Sequence, residues 1–256
     1  MHKLLPLVLL IVSSICQAQT PAAHILPDGS TDMYLGMSVG IGPAYEGSKT
    51  GWASWALDFQ GQWSNGIFVS GSKIGMHLSE DPGIEYGPLV AWGGKRPQSI
   101  SPKTDGLGDI YSAPSVGVFY NYMLPNNVQL TTDLLYGTGR DRGGIVFDFG
   151  ARKFFRVATH HGLSFWAGMT WANAEYTQVY YGITPQQALT STLPTYTASA
   201  NVLDMHAGVN WNWELSTSWL LNTRVYATHL MGSAVNSPLV ERTDNFTVST
   251  GLVYRF

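Results

Sequence analysis

Residues Asn245 to Phe256 read Asn-Phe-Thr-Val-Ser-Thr-Gly-Leu-Val-Tyr-Arg-Phe, and they alternate with a period of two up to the last residue. Successive side chains of a β-strand point to opposite faces, so this pattern predicts a strand. One face carries Phe246, Val248, Thr250, Leu252, Tyr254 and Phe256. The other face carries Thr247, Ser249, Gly251, Val253 and Arg255. The fold therefore depends on what covers the first, apolar face.

The last three residues indicate lipid rather than a protein core as that cover. A chain that stops on a strand ending in Tyr254-Arg255-Phe256 resembles the terminal strand of bacterial outer-membrane barrels. That resemblance implies an assembly signal at Tyr254 and Phe256. It also requires the same two-sided pattern elsewhere, because a membrane strand needs partners on both edges.

The amino terminus predicts export. Residues 1–18 contain His2 and Lys3, then the apolar run Leu4 to Val12, then a small-residue end at Ala18. This is the layout of a secretory signal peptide. We therefore expect a signal peptide over residues 1–18 and one outer-membrane barrel domain over residues 19–256. The only cysteine, Cys16, would leave with the signal, so no disulfide is expected.

Composition favours a barrel over a soluble enzyme. Charged residues make up 12% of the chain, about half of the usual share, whereas Gly 28, Trp 9 and Tyr 13 are high counts. Once Lys3 is removed, 13 of the 14 basic residues remain against 17 acidic ones, so nothing indicates a nucleic-acid partner. No later stretch approaches the roughly 18 consecutive apolar residues of a membrane helix. No cofactor is expected.

Eleven segments show the alternation, and single-chain bacterial barrels almost always have an even number of strands. The segments are 34–42, 52–63, 67–78, 85–93, 110–122, 127–136, 144–153, 162–172, 197–214, 219–229 and 245–256. Either a strand is hidden between Ile67 and Tyr122, or one precedes Tyr34 near His24 to Leu26. We expect an all-β, antiparallel, up-and-down transmembrane barrel of about twelve strands, within a range of roughly ten to twelve.

The charged side chains repeatedly share a face with Gly, Ser and Asn, which in a barrel is the face that lines the lumen. The bulky apolar side chains would face outer-membrane lipid. The predicted polar residues of the lumen are Lys73, Asp133, Asp148, Arg152, Asp204, His206, Glu214 and Arg224.

The connections carry their own signals. Ser64-Asn65-Gly66 and Pro125 to Asn127 are typical of tight turns. Thr184 followed by Pro185 predicts a short helix, with Thr184 as its N-cap. Tyr45 to Ser48 predicts a bend after the first strand, and Lys95, Arg96 and Lys103 are interpreted as a solvated loop, with contacts to lipopolysaccharide phosphates as the alternative.

Short motifs in a fixed order resemble those of the MipA/OmpV family. They are Gly40 and Gly42 with Tyr45 to Ser48, Gly106 to Asp109, Tyr180 to Pro185, Ser237 to Val240, and Tyr254 to Phe256. The resemblance spans nearly the whole chain after the signal. It implies a non-enzymatic outer-membrane protein that interacts with a lytic transglycosylase and scaffolds it with a penicillin-binding protein for peptidoglycan synthesis. Other members are described as porin-like or adhesive.

Candidate chemical sites have simpler interpretations. His161 and Ser164 are three apart on a strand and would point to opposite faces. His160 and His161 lie on a turn without a neighbouring carboxylate or cysteine, which does not favour a metal site. Asp204 and His206 share a face with Glu214 and could form an acid-base set, but luminal residues of this kind usually satisfy one another. The sequence predicts no catalytic, cofactor or metal site.

Two functions from different classes follow. A scaffold would present its periplasmic turns to a murein enzyme. A porin-like channel, or an adhesion-related barrel, is the alternative, with the luminal charges lining a water path.

Overall fold

The computed structural model describes residues 30–137 and 143–256. Twelve antiparallel strands form a closed barrel in which each strand pairs with its neighbours in sequence and β1 pairs with β12. Their bounds are β1 Thr31–Pro43, β2 Gly51–Trp63, β3 Ile67–Ser70, β4 Lys73–Met76, β5 Ile84–Trp92, β6 Pro114–Leu124, β7 Val128–Gly137, β8 Ile145–Ala158, β9 His161–Ala172, β10 Asn201–Glu214, β11 Trp219–Leu230 and β12 Asp244–Arg255. The predicted fold class is confirmed.

The strand missing from the sequence count lies in the segment 67–78. The expectation of one strand there is wrong, because Gly71, with φ of +57°, turns the chain back and β3 pairs with β4 from Ile67↔Met76 to Ser70↔Lys73. Asn127 belongs to a turn rather than to β7, and Ile110 forms an isolated bridge with Arg96 outside β6. The strand considered near His24 to Leu26 and the signal peptide predicted for residues 1–18 lie outside the described residues.

The two ends of the barrel differ in their connections. Turns of two to four residues at 64–66, 125–127, 159–160 and 215–218, and the connection 77–83, close one end, and Asn126 and Asn127 carry the positive φ values that tight turns need. The other end carries longer loops at 44–50, 93–113, 173–200 and 231–243. In outer-membrane barrels the short turns face the periplasm and the longer loops face outward. We call these the turn end and the loop end.

The strands expose apolar side chains on the outer surface of the barrel and bury polar ones inside, which is the reverse of a soluble protein. Along β1, the side chains of Leu35, Met37, Val39 and Ile41 are exposed on the outer surface, whereas Ser38 is buried toward the lumen. Aromatic residues at strand ends, including Trp63, Tyr136, Trp213 and Trp219, lie where an interfacial girdle is expected. Among the described residues, no helix has the length and apolar character needed to cross a membrane.

The loops within the described residues contain three helices: α1 Ala174–Tyr181, α2 Pro185–Thr190 and α3 Gly232–Val235. Helix α2 is the one predicted from Thr184, whose side chain accepts a hydrogen bond from the Gln187 backbone N–H while the Gln187 side chain returns one to the Thr184 N–H. This capping box explains why so short a helix forms. Two short 3-10 helices, Gln98–Ile100 and Pro102–Thr104, lie in loop 93–113.

Candidate functional site: the lumen and its lid

Four loops at the loop end pack into one structure, which we call the lid: residues 44–50, 93–113, 173–200 and 231–243. Its apolar core consists of Ala44, Tyr45, Ile100, Leu107, Ile183, Leu193 and Leu239. A second cluster below it joins the lid to the strand ends, with Ala172, Tyr181, Leu203, Leu230 and Ala234. Because all four loops contribute buried side chains, the lid is a folded unit over the mouth of the barrel.

Hydrogen bonds connect the lid loops to one another. The Gln187 Nε2 donates to the Leu107 carbonyl at 2.7 Å, and the Tyr45 hydroxyl donates to the Leu239 carbonyl at 3.0 Å. Gly106 allows the closest approach: its φ is +77°, and a Cβ there would lie 1.9 Å from the Thr190 carbonyl oxygen. A side chain at this position would push loop 93–113 away from loop 173–200.

Arg96 is part of the lid and not of a solvated surface, so the expectation for it is wrong. Its side chain is buried, and its Nη1 donates to the Tyr180 carbonyl at 2.7 Å. Burial lowers the pKa of the guanidinium, and the nearby Tyr181 and Tyr45 partly offset this. The buried arginine thus positions loop 93–113 against helix α1.

Under the lid, Glu46 reaches down to the lumen. The pKa of its carboxyl group is raised to about 7, first by burial and then by the charge of Asp204, while hydrogen bonds with Thr228 and Tyr181 act in the opposite direction. The same burial raises the pKa of the Tyr181 phenol well above its ordinary value. Glu46 keeps some accessible surface, because it lines the luminal cavity. A carboxylic acid at this point is therefore readily kept protonated near neutral pH.

The lumen holds a chain of charged groups beside Glu46. His206 Nδ1 lies 3.0 Å from Asp204 Oδ1, and its Nε2 lies 3.6 Å from Asp148 Oδ2. The Thr170 hydroxyl lies 3.2 Å from each of these two carboxylates. Farther along the wall, Lys73 pairs with Asp133, which sits opposite Asp148 in the β7–β8 register. The charges offset one another, as expected for a luminal network.

The cavity inside the barrel measures about 990 Å³. It runs from Glu46 at the lid to Pro82 and Asn127 near the turn end. Within residues 30–137 and 143–256, no group of three or more His, Cys, Asp and Glu side chains is placed to hold a metal ion.

Comparison with known proteins decides the family. The family model described as "MltA-interacting protein MipA" matches residues 35–256. The chain belongs to the MipA family. No protein of curated function matches the chain. This MipA-family protein is an outer-membrane β-barrel, in agreement with its closed twelve-strand topology.

Solved structures with a similar fold are outer-membrane barrels of low sequence identity. The COG4313 outer membrane channel from Pseudomonas putida F1 is 12% identical with a TM-score of 0.49, covering 94% of this chain and 99% of that one. The translocator domain of autotransporter NalP from Neisseria meningitidis is 12% identical with a TM-score of 0.43 and 91% coverage of both chains. The KdgM porin in complex with disordered oligogalacturonate is 7% identical with a TM-score of 0.42, covering 89% and 99%.

Seven of the eight polar residues predicted for the lumen line the cavity of this MipA-family barrel: Lys73, Asp133, Asp148, Arg152, Asp204, His206 and Arg224. Glu214 does not lie with them. It ends β10 at the turn end, is exposed, and lies 3.5 Å from His160 Nδ1 through its Oε2. Asp204 and His206 are therefore brought together, but Glu214 is separated from them by almost the whole strand. The functional roles of these residues stay predictions.

His161, the second of the two adjacent histidines, packs among aromatic side chains. His161 accepts a hydrogen bond from Trp211 Nε1 at 3.3 Å and stacks with Trp211 and Trp213, with ring centroids 5.7 and 5.5 Å away. Ser164 is buried on the opposite, luminal face of β9. His161 thus belongs to the aromatic girdle near the turn end.

Sequence reasoning missed Glu46 and Trp52 as luminal residues and Tyr181 as a buried residue of the lid. The bend at Tyr45 to Ser48 was predicted, and the Ser48 N–H does donate to the Tyr45 carbonyl at 2.9 Å. The direction of Glu46 depends on the other three lid loops, which are distant in sequence. The luminal position of Trp52 follows from the β1–β2 register, in which it lies opposite Gly42.

Proposed function

We propose that this protein is a non-catalytic scaffold that holds a lytic transglycosylase, together with a penicillin-binding protein, at the periplasmic end of the barrel. The observation that carries the proposal is the lid. Four packed loops cover the outer mouth, and this favours a binding role over an open water path. Membership in the MipA family supports the same partner class.

The turn end offers the docking surface. Its turns are too short to form a standard-sized interface singly, so several of them would share one rim. Val157, Leu215 and Trp219 expose apolar surface there, beside the exposed His160–Glu214 pair. A rim of this size predicts weak to moderate affinity, since only a few anchors can be buried.

Affinity capture of the solubilised barrel from cell envelopes tests the proposal. A lytic transglycosylase or a penicillin-binding protein, identified by mass spectrometry, should be enriched over capture with an unrelated barrel of similar size. Leu215→Asp should lower that enrichment several-fold. Leu189→Asp is the matched control, because Leu189 is an exposed leucine (80%) on α2 at the loop end. Equal enrichment with both variants would show that the enzyme does not bind at the turn end.

A porin-like channel is the second candidate, and the charged cavity of about 990 Å³ is the observation that favours it. Planar-bilayer recordings of the purified protein separate the two. Discrete ion conductance, together with a failure to capture either enzyme, would support the channel instead of the scaffold.

A further inference from the structure

Two neighbouring strands of the barrel are much shorter than the others. Strands β3 and β4 have four residues each, whereas the other ten strands have nine to fourteen. Strand β2 pairs with β1 along its whole length, but its other edge pairs with β3 only at Gln60, Gly61 and Gln62. The Gly71 N–H at the hairpin tip donates to the Phe59 carbonyl at 3.0 Å. Within the described residues, the β2 edge over 51–58 has no neighbouring strand on that side.

The resulting notch lies on the loop-end side of the β3–β4 hairpin. There the β2 edge faces the start of loop 93–113, because β5 ends level with the hairpin tip, where the Trp92 N–H donates to the Ser72 carbonyl at 2.9 Å. The unpaired edge has about eight residues, or roughly 25 Å along the strand before tilt is considered. This length is sufficient to border a hydrocarbon chain.

The outer rim of the notch is apolar, which places it at membrane depth. Trp55 and Leu57 on β2, Ile74 on β4 and Trp92 on β5 are all exposed on the outer surface. Because the loop end faces outward, the notch opens toward the outer leaflet.

The luminal cavity extends to the same place. Trp52 and Ser54 of β2, Phe68 of β3 and Leu89 of β5 line it, and Trp52 is nevertheless 39% exposed. Phe68 packs edge-on against Phe119, with ring centroids 5.4 Å apart. The inner wall beside the notch is therefore aromatic and aliphatic.

Of the luminal charges, Lys73 lies beside the notch, at the hairpin tip, where it is paired with Asp133, and the others discussed above lie farther around the barrel. Asp148, Asp204 and His206 are on β8 and β10. Loop 93–113, which starts beside the notch, is bonded to the lid instead: Thr190 Oγ1 donates to the Gly106 carbonyl at 2.7 Å, and Arg96 donates to the Tyr180 carbonyl.

An open strand edge is costly in hydrocarbon and is tolerated only where it is buried in protein or lines a cavity. The notch meets this condition, because its edge borders the lumen. We propose that the notch is a lateral portal through which an acyl chain of an outer-leaflet lipid enters the lumen and packs on Trp52, Phe68 and Leu89. This binding site is separate from the proposed docking rim at the turn end.

Photo-crosslinking tests the portal. Trp52→p-benzoylphenylalanine should give covalent lipid adducts in native outer membranes, detected by mass spectrometry at about the level of the lipid-facing Val209→p-benzoylphenylalanine. The matched control is Trp166→p-benzoylphenylalanine, a luminal tryptophan position behind the complete wall of β8 to β10. Its adducts should be at least about tenfold fewer. All three variants must first show the heat-modifiable mobility of a folded barrel. Adducts at position 52 no more abundant than at position 166 would overturn the proposal.

A second variant closes the wall. Inserting four alternating polar and apolar residues on each side of Gly71 and Ser72 lengthens β3 and β4, so that β3 can pair with the β2 edge over 51–58. Lipid adducts at position 52 should then fall to the control level, while capture of the transglycosylase is unchanged. Persisting adducts in the folded, lengthened barrel would show another lipid path and contradict the portal. Failure of the unmodified barrel to capture either enzyme, with adducts still formed at position 52, would count against the scaffold alone.

Discussion

The Lys73 ammonium on β4 forms an ion pair with the Asp133 carboxylate on β7, and both side chains are about four-fifths buried. The pair joins the short β3–β4 hairpin to a strand three positions away around the barrel. Asp133 also lies opposite Asp148, so the positive charge of the lysine offsets the repulsion between these two carboxylates. The hairpin therefore has a side-chain attachment that compensates for its few backbone pairs.

Lys73→Met should destabilise the barrel by about 1 to 3 kcal/mol, because it leaves a partly buried carboxylate without its cation. Urea unfolding in detergent micelles measures this loss. Lys73→Arg is the charge-conserving control and should lose less. Asp133→Asn in the Lys73→Met background should restore part of the stability, and a double-mutant cycle without coupling would contradict the role given to the pair.

The alternation of lipid-facing and luminal side chains predicts that a new charge destabilises the barrel more on one face than on the other. Val209→Lys places a charge on the lipid-facing surface and should cost roughly 2 to 4 kcal/mol if the residue lies near the midplane. Thr131→Lys is the matched control, since Thr131 lines the lumen, and it should cost clearly less. Unfolding in lipid vesicles gives both values, and equal costs would refute the assignment of faces.

Most of the barrel could be predicted because each strand carries its own two-sided pattern. The β3–β4 hairpin could not, for a geometric reason. The two-residue turn at Gly71 and Ser72 leaves Lys73, Gly75 and His77 on one face, as a single long strand also would. Alternation therefore does not distinguish the two cases. The Ser70-Gly71-Ser72 sequence was the available turn signal.

The lid was predicted only in part. Thr184 and Pro185 are local helix-start signals, so α2 could be placed from sequence. Helix α1 could not, because Tyr176, Val179 and Tyr180 favour strands by propensity and only the Asn173 cap indicates a helix. The surroundings of Glu46 come from Tyr181 and Asp204, far away in sequence, so no local pattern encodes its pKa.

Glu46 should make stability dependent on pH. Its pKa in the folded protein is about 7, raised by burial from an ordinary value near 4.5. Between these values the unfolded chain loses the proton that the folded protein retains, so stability falls as pH rises through this window. Below it, both states are protonated and the penalty is absent.

Glu46→Gln imitates the protonated acid and therefore isolates this effect. The variant should match the wild type within about 1 kcal/mol at pH 5 and exceed its stability by up to about 3 kcal/mol at pH 8. Thermal unfolding at the two pH values measures the difference. A difference that is the same at both would show that Glu46 is ionised in the folded protein throughout this range.

The last prediction concerns Phe256. Its backbone N–H donates to the Met33 carbonyl at 3.0 Å, and its ring packs edge-on against Tyr254 with centroids 5.1 Å apart, yet the side chain is largely exposed. Deleting Phe256 removes one hydrogen bond and little buried surface, so refolding of the purified chain into detergent micelles should be nearly unchanged. Insertion in cells should fall strongly if the terminal residue acts as an assembly signal. The measurement is the amount of heat-modifiable barrel in the outer membrane, with Phe256→Tyr as the aromatic control that should insert normally. A deletion variant that fails equally in micelles would assign the defect to barrel closure, and one that inserts at the wild-type level would remove the signal from this residue.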